Sequence, residues 1–280
     1  DLAVDGDTLY AVVGDRKTAD LYRHEQDGAW TPLSALPDYV QFLGVAQAVG
    51  YVGIGGTDGG LSLLDLATGA LEPISLPVRE VDIRRVSAWV SGSDWSVSYS
   101  TAAGHSFTRY SGRSTWWTGR YGPPGYAILG LVGDSMGATA ATSGGVLYQE
   151  EDMSEMWDAG GDALPGTAAV AVAQTGWGRT YAATYDHGVY ERGRDGWEPR
   201  NEGLPTLDVR ALATSPAARS DSSVYAATFG GGVHVLLPDS SSWNPMKRGL
   251  TNSEALSLAV EGDAVYVGTT EGHIPLGLER

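Results

Sequence analysis

Between Thr180 and Pro205 the chain reads TYAATYDHGVYERGRDGWEPRNEGLP, and from Val224 to Thr251 it reads VYAATFGGGVHVLLPDSSSWNPMKRGLT. A chain that restates one phrase at a fixed interval builds its core by setting copies of one unit side by side, because a single copy cannot bury its own apolar face. The phrase is a β-rich run, a glycine turn and a second short run. It begins at Leu9, Tyr51, Trp95, Ala138, Thr180, Val224 and Ala264, with 40 to 44 residues between successive starts. Seven copies fill the chain.

Each copy carries four strand candidates. A small-residue apolar run comes first, as in VRALATS from Val209 or ALSLAVE from Ala255. The YAAT run follows, then the GVY run beyond the glycine turn. Last comes a short run that usually holds tryptophan, as at Trp30, Trp116 with Trp117, Trp157, Trp197 and Trp243. Val, Tyr, Thr and Trp suit pleated surfaces, and the Gly, Asp and Pro clusters between the runs suit turns. No window shows a 3.6-residue apolar period, so helices should be nearly absent.

Four antiparallel strands per repeat of this length, arranged radially, are the pattern of a β-propeller blade. The expectation is an all-β, seven-bladed β-propeller with four-stranded antiparallel blades, forming one domain over residues 1–280. Small residues on the first strand suit the crowded axis, and tryptophan on the outer strand suits packing between blades. Asp1 to Asp7 matches Ser257 to Asp263, so the chain begins inside an inner strand. The seventh repeat has no tryptophan run. Its blade is either completed by residues upstream of Asp1 or built of three strands.

GRDGW (Gly193–Trp197) and QDGAW (Gln26–Trp30), with WEPRNEGLP and WNPMKRGLT near the YAAT phrases, resemble the BNR/Asp-box repeat. That family's propellers occur in sialidases, xyloglucanases, sortilin-type receptors and photosystem assembly factors. The resemblance spans the chain and is strongest from Thr180 to Gly272. It implies the fold rather than an activity, since the Asp-box turn is structural in that family. The chain departs from the sialidases in lacking an Arg-Ile-Pro motif, and from the assembly factors in lacking their basic patch.

Charge narrows the partners. The chain has 34 acidic against 18 basic residues, a formal net charge of −16, and its lysines are Lys17 and Lys247. Such a field repels phosphate backbones, which argues against nucleic acid and anionic membranes. Cations, polyols, neutral glycans or a basic protein surface fit better. With no cysteine there is no disulfide, thiolate site or thiol nucleophile. No apolar run approaches the ~20 residues of a membrane span.

The strands repeat because they build the ring, so function is expected in the words that vary. In a propeller the loops between blades and the loops joining second to third strands share one face. Gln41, Asp82, Asp208 and Glu254 align just before the inner strands and should point to the mouth of the channel. Asp82, Asp208 and Glu254 are the sharpest feature. They are read as an oxygen-rich site for Ca2+ or Mg2+, as a general acid/base pair, or as strand caps facing water. His105, His187 and His273 recur in one loop of alternate blades, and Asp186 stands beside His187. Trp116, Trp117, Tyr110, Tyr121 and Tyr126 are either a sugar-stacking platform or blade packing.

The resulting expectation is a monomeric, non-catalytic binding or scaffold module. It lies outside the cytoplasm (secreted, periplasmic or on the cell surface) and offers its top face to a protein or glycan. No cofactor is expected beyond Ca2+ near the channel. The alternatives are a glycosidase or lyase working from the channel-mouth carboxylates, and a glycan-binding lectin. The binding residues expected from sequence are Gln41, Asp82, His105, Tyr121, Tyr126, Asp186, His187, Asp208 and Glu254.

Overall fold

A computed structural model describes residues 2–5, 8–14, 19–25, 29–35, 40–46, 51–56, 60–65, 68, 70–74, 83–91, 94–101, 106–110, 128–134, 137–150, 164, 168–176, 178–214, 222–246, 250, 253–261 and 264–277. These residues form antiparallel sheets and no helix, as the alternating patterns require. No helix is long and apolar enough to cross a membrane among the described residues. The chain divides into two compact units, residues 1–128 with 154–156, and residues 129–153 with 157–280.

In the first unit, β1 (Leu2–Asp5), β2 (Thr8–Gly14), β3 (Ala19–Glu25) and β4 (Thr31–Ala35) form one sheet in that order. A second sheet joins β5 (Val40–Ala46), β6 (Tyr51–Gly56), β7 (Gly60–Asp65) and β8 (Leu71–Ile74). The third holds β9 (Ile83–Ser91), β10 (Asp94–Thr101) and β11 (Ser106–Tyr110). The leading strands are neighbours, β1 beside β5 and β5 beside β9.

The second unit follows the same plan. Its sheets are β12 (Ile128–Asp134), β13 (Gly137–Thr142) and β14 (Gly145–Glu150), then β15 (Ala169–Gln174), β16 (Thr180–Thr184), β17 (Val189–Arg192) and β18 (Trp197–Pro199). Next come β19 (Val209–Thr214), β20 (Val224–Thr228), β21 (Gly232–Leu236) and β22 (Asn244–Pro245). The last sheet is β23 (Ala255–Glu261), β24 (Ala264–Thr269) and β25 (Gly272–Gly277). Again β15 lies beside β19, and β19 beside β23.

The YAAT phrase is small because it is buried on both faces. Every residue of β16 and of β20 is buried. Successive side chains of a strand point to opposite faces. Ala182 therefore joins the core shared with Ala141 and Val146 of the preceding sheet. Tyr181 and Ala183 join the core shared with Val209, Leu212, Ala226 and Trp243 of the following one. One sheet on, Tyr225 and Ala227 pack with Ala255, Val265 and Val267. Trp243 and Trp197 pack against the sheet cores, while Trp116, Trp117 and Trp157 lie outside the described residues. Trp243 is buried between two sheets, and its indole N–H donates to the Arg200 carbonyl at 2.6 Å.

The threonine closing each phrase fastens the hairpin. The hydroxyls of Thr142, Thr184 and Thr228 donate to the carbonyls of Gly145, Gly188 and Gly232, each at 2.9 Å. One register detail differs from expectation. β5, β9, β15, β19 and β23 each carry a bulge after their first residue, setting Gln41, Arg84, Val170, Arg210 and Leu256 out of the ladder. Gln41 is thus equivalent to Arg210, two places beyond the position of Asp208 and Glu254, because the inner strand already begins at Val40.

Candidate functional site

The loops at one end of the second unit are laced by backbone bonds. Gly188 N–H donates to the Leu207 carbonyl at 3.0 Å, and Phe229 N–H donates to the Asp208 carbonyl at 2.9 Å. Gly230 and Gly232 both donate to the Ser253 carbonyl, at 3.0 and 2.8 Å. The β16–β17 and β20–β21 loops therefore each meet the segment that leads into the next sheet. Asn201 reinforces the first junction: its Oδ1 accepts from Val189 N–H at 2.7 Å, and its Nδ2 donates to the His187 carbonyl at 3.0 Å. Gly188 is there because a Cβ would strike Asn201 Oδ1 and because its φ is +79°, which L side chains rarely adopt.

Arg210 organises this end. The bulge at the start of β19 re-aims its side chain, as bulges do beside functional sites. Its Nε donates to Asp208 Oδ1 at 2.6 Å and its Nη2 to Asp208 Oδ2 at 2.8 Å, a two-pronged pair. The guanidinium carbon lies 4.8 Å from the Tyr185 ring centre and 4.9 Å from that of Phe229. Both are within cation–π reach. The Asp208 hydrogen bond raises the Arg210 pKa above its ordinary value, against a smaller opposing effect of burial.

The same loop end carries exposed groups of two kinds. Tyr185 (46% exposed), Leu207 (42%) and Leu256 (40%) present apolar surface. Asp186, Glu202 and Glu271 are exposed carboxylates. Asp186 Oδ1 lies 2.6 Å from His187 Nδ1. Glu254, bridged in the backbone to Phe229, accepts the Thr270 hydroxyl at 2.7 Å.

Of the nine residues expected from sequence, Asp186, His187, Asp208 and Glu254 come together here. Gln41 is placed only in backbone, within β5, and Asp82, His105, Tyr121 and Tyr126 lie outside the described residues. No group of three or more His, Cys, Asp or Glu suited to a metal occurs among the described residues. Both carboxylate oxygens of Asp208 already face Arg210. Tyr185, Arg210 and Phe229 went unread in the sequence although each left a signal. Arg210 follows Asp208 at the two-residue spacing of one strand face, and Tyr185 and Phe229 share one position of the repeat.

Neither protein-family models nor curated proteins give a match to this chain. Solved structures do. Virginiamycin B lyase from Staphylococcus aureus superposes with a TM-score of 0.76 at 10% identity, over 98% of this chain and 92% of its own. The WD40 β-propeller domain of Doa1 gives 0.75 at 11% identity, over 98% and 90%. YCF48 bound to D1 peptide gives 0.69 at 14% identity, over 97% and 93%. At these identities the likeness is one of fold. The chain has a β-propeller fold.

Proposed function

We propose that the chain is a non-catalytic seven-bladed propeller module, one domain over residues 1–280, that works outside the cytoplasm. In this reading it binds a protein partner at the loop end bearing Tyr185, Leu207 and Arg210. The observation that carries the reading is the pairing of exposure with rigidity at that end. Exposed Tyr185 and Leu207 are held in place by the Gly188–Leu207 backbone bond, the Asn201 brace and the Arg210 stack. A preorganised apolar centre with a polar rim is how protein-binding surfaces limit the entropy lost on association. The blade count is supported by seven antiparallel sheets among the described residues and by propeller neighbours that span nearly the whole chain. A protein partner is supported by YCF48, a neighbour of the same fold with a bound peptide.

The test is a random-peptide display selection on the intact protein, run beside a neutral-glycan array. Enriched peptides should bind the wild type and lose at least ten-fold in affinity on Tyr185→Ser with Leu207→Asp. They should keep their affinity on Arg179→Ala, at the other end of β16. Peptides that bind both variants equally, or glycan binding with no enriched peptide, overturn the proposal.

A further inference from the structure

The repeat offers a control for what its own scaffold needs. At the bulge of the inner strand the neighbouring sheets carry Val170 and Leu256, and this sheet carries Arg210. At the position after the hairpin threonine the neighbours carry Ser143 and Thr270, and the two loops flanking Arg210 carry Tyr185 and Phe229. Building a sheet of this kind requires neither the cation nor the rings: the β15–β18 and β23–β25 sheets are built without the cation, and the β12–β14 and β23–β25 sheets without a ring. Three positions therefore differ together from their described neighbours in the second unit, and they meet in space around one guanidinium.

We propose that Tyr185, Phe229 and Asp208 form a guanidinium-binding cage that the chain fills with its own Arg210 and that a partner's arginine takes over on docking. This rests on the reading of this end as the binding face. The cage matches that cation in two ways at once. Asp208 offers both oxygens to a planar fork, at 2.6 and 2.8 Å, and the rings lie 4.8 and 4.9 Å from its carbon. An ammonium is a point charge that uses one of those features poorly, so arginine should be preferred over lysine. The cage also opens to solvent: the Arg210 and Asp208 side chains are 32% and 28% exposed, and Tyr185 is nearly half exposed. Charge complements the occupant, since Asp186, Glu202 and Glu271 are exposed carboxylates of the same loop end, Glu254 is bridged in the backbone to Phe229, and the chain carries −16 overall. Because Arg210 is tethered, its effective concentration is of millimolar order or higher. Free arginine will not displace it. A partner arginine does so by adding contacts with Tyr185 and Leu207.

The experiment removes the resident and asks what replaces it. Arg210→Ala is titrated with N-acetyl-arginine amide and, separately, with N-acetyl-lysine amide, followed by NMR of the tyrosine and phenylalanine ring protons and by melting temperature. Arg210→Met runs in parallel and should fold, since apolar side chains occupy the same bulge in the neighbouring sheets. The expected result is saturable binding of the arginine amide to the alanine variant, at least ten-fold tighter than the lysine amide. Binding should be absent from the wild type and lost when Asp208→Asn is added. Folded variants that take up neither compound, or both equally, overturn the proposal. That outcome leaves the peptide selection on the wild type untouched, so failure of the cage and failure of the binding face are told apart.

Discussion

His234 sits on β21 where the equivalent residue of the preceding sheet is Tyr190, and it is 3% exposed. Its Nδ1 has no hydrogen-bond partner among the described residues. Its side chain alternates with those of Val233 and Val235, and so turns to the sheet that also presents Tyr181 and Glu191. Glu191 is held there by Arg200 at 2.6 Å and Arg179 at 3.5 Å. Burial lowers the His234 pKa below its ordinary 6.5. The unfolded chain therefore takes up a proton, as pH falls through 6.5, that the folded chain resists. The stability linked to this group is intact above that pH and declines below it. His234→Leu, which copies Leu147 of an earlier sheet, should flatten the decline. Urea midpoints for wild type and variant are expected to run parallel above about pH 7.5, and toward about pH 5 the wild-type midpoint should fall relative to that of the variant. Parallel curves across the whole range would exclude His234 as the source of acid sensitivity.

Among the elements, the hairpin threonines show what a repeat makes legible and what it hides. The sequence displayed YAAT followed by a glycine turn, and the structure explains the final letter: a buried hydroxyl that holds the glycine carbonyl of the same turn. Thr228→Val keeps the shape and β-propensity but leaves the Gly232 carbonyl without that donor. The expected cost is about 1–2 kcal/mol, measured as a shift in denaturant midpoint at unchanged m-value. A serine variant should recover most of it. If valine were neutral, the bond would be a consequence of the turn rather than a cause. Sheet order and the two-sided burial of β16 and β20 were readable because alternation and small residues encode them directly. The tryptophan run was readable as packing but less so as a strand. β22 is only Asn244–Pro245, since Trp243 does its work off the ladder through Arg200. The Arg210 cluster stayed hidden because its members stand at positions that vary between repeats, and signals at separate positions do not say that the side chains meet once a bulge has freed Arg210 from the ladder. The fourth strands of their sheets carry Pro32, Pro73, Pro199 and Pro245. A proline lacks the N–H that further pairing would use, so these edges resist strand addition.

For the whole molecule, the balance of 34 acidic to 18 basic residues sets the dominant long-range effect. A net −16 on one folded chain repels itself, and the repulsion is relieved as the screening length falls from about 10 Å at 0.1 M salt to about 3 Å at 1 M. Melting temperature should therefore climb with NaCl. The same melt decides whether the inner-strand carboxylates do more than contribute charge. Arg210 already spans both oxygens of Asp208 and Thr270 holds Glu254, so calcium is expected to act only through ionic strength. Millimolar CaCl2 and NaCl of matched ionic strength should give the same midpoint, with no further change in EDTA. An extra rise specific to calcium that disappears in Asp208→Asn with Glu254→Gln would instead make these carboxylates a cation site. The aromatic cage would then lose its anchor to the metal, and Arg210 would have to leave Asp208 for the ion to bind. Calcium and the arginine amide would then compete for one carboxylate, which a titration of one against the other reads directly.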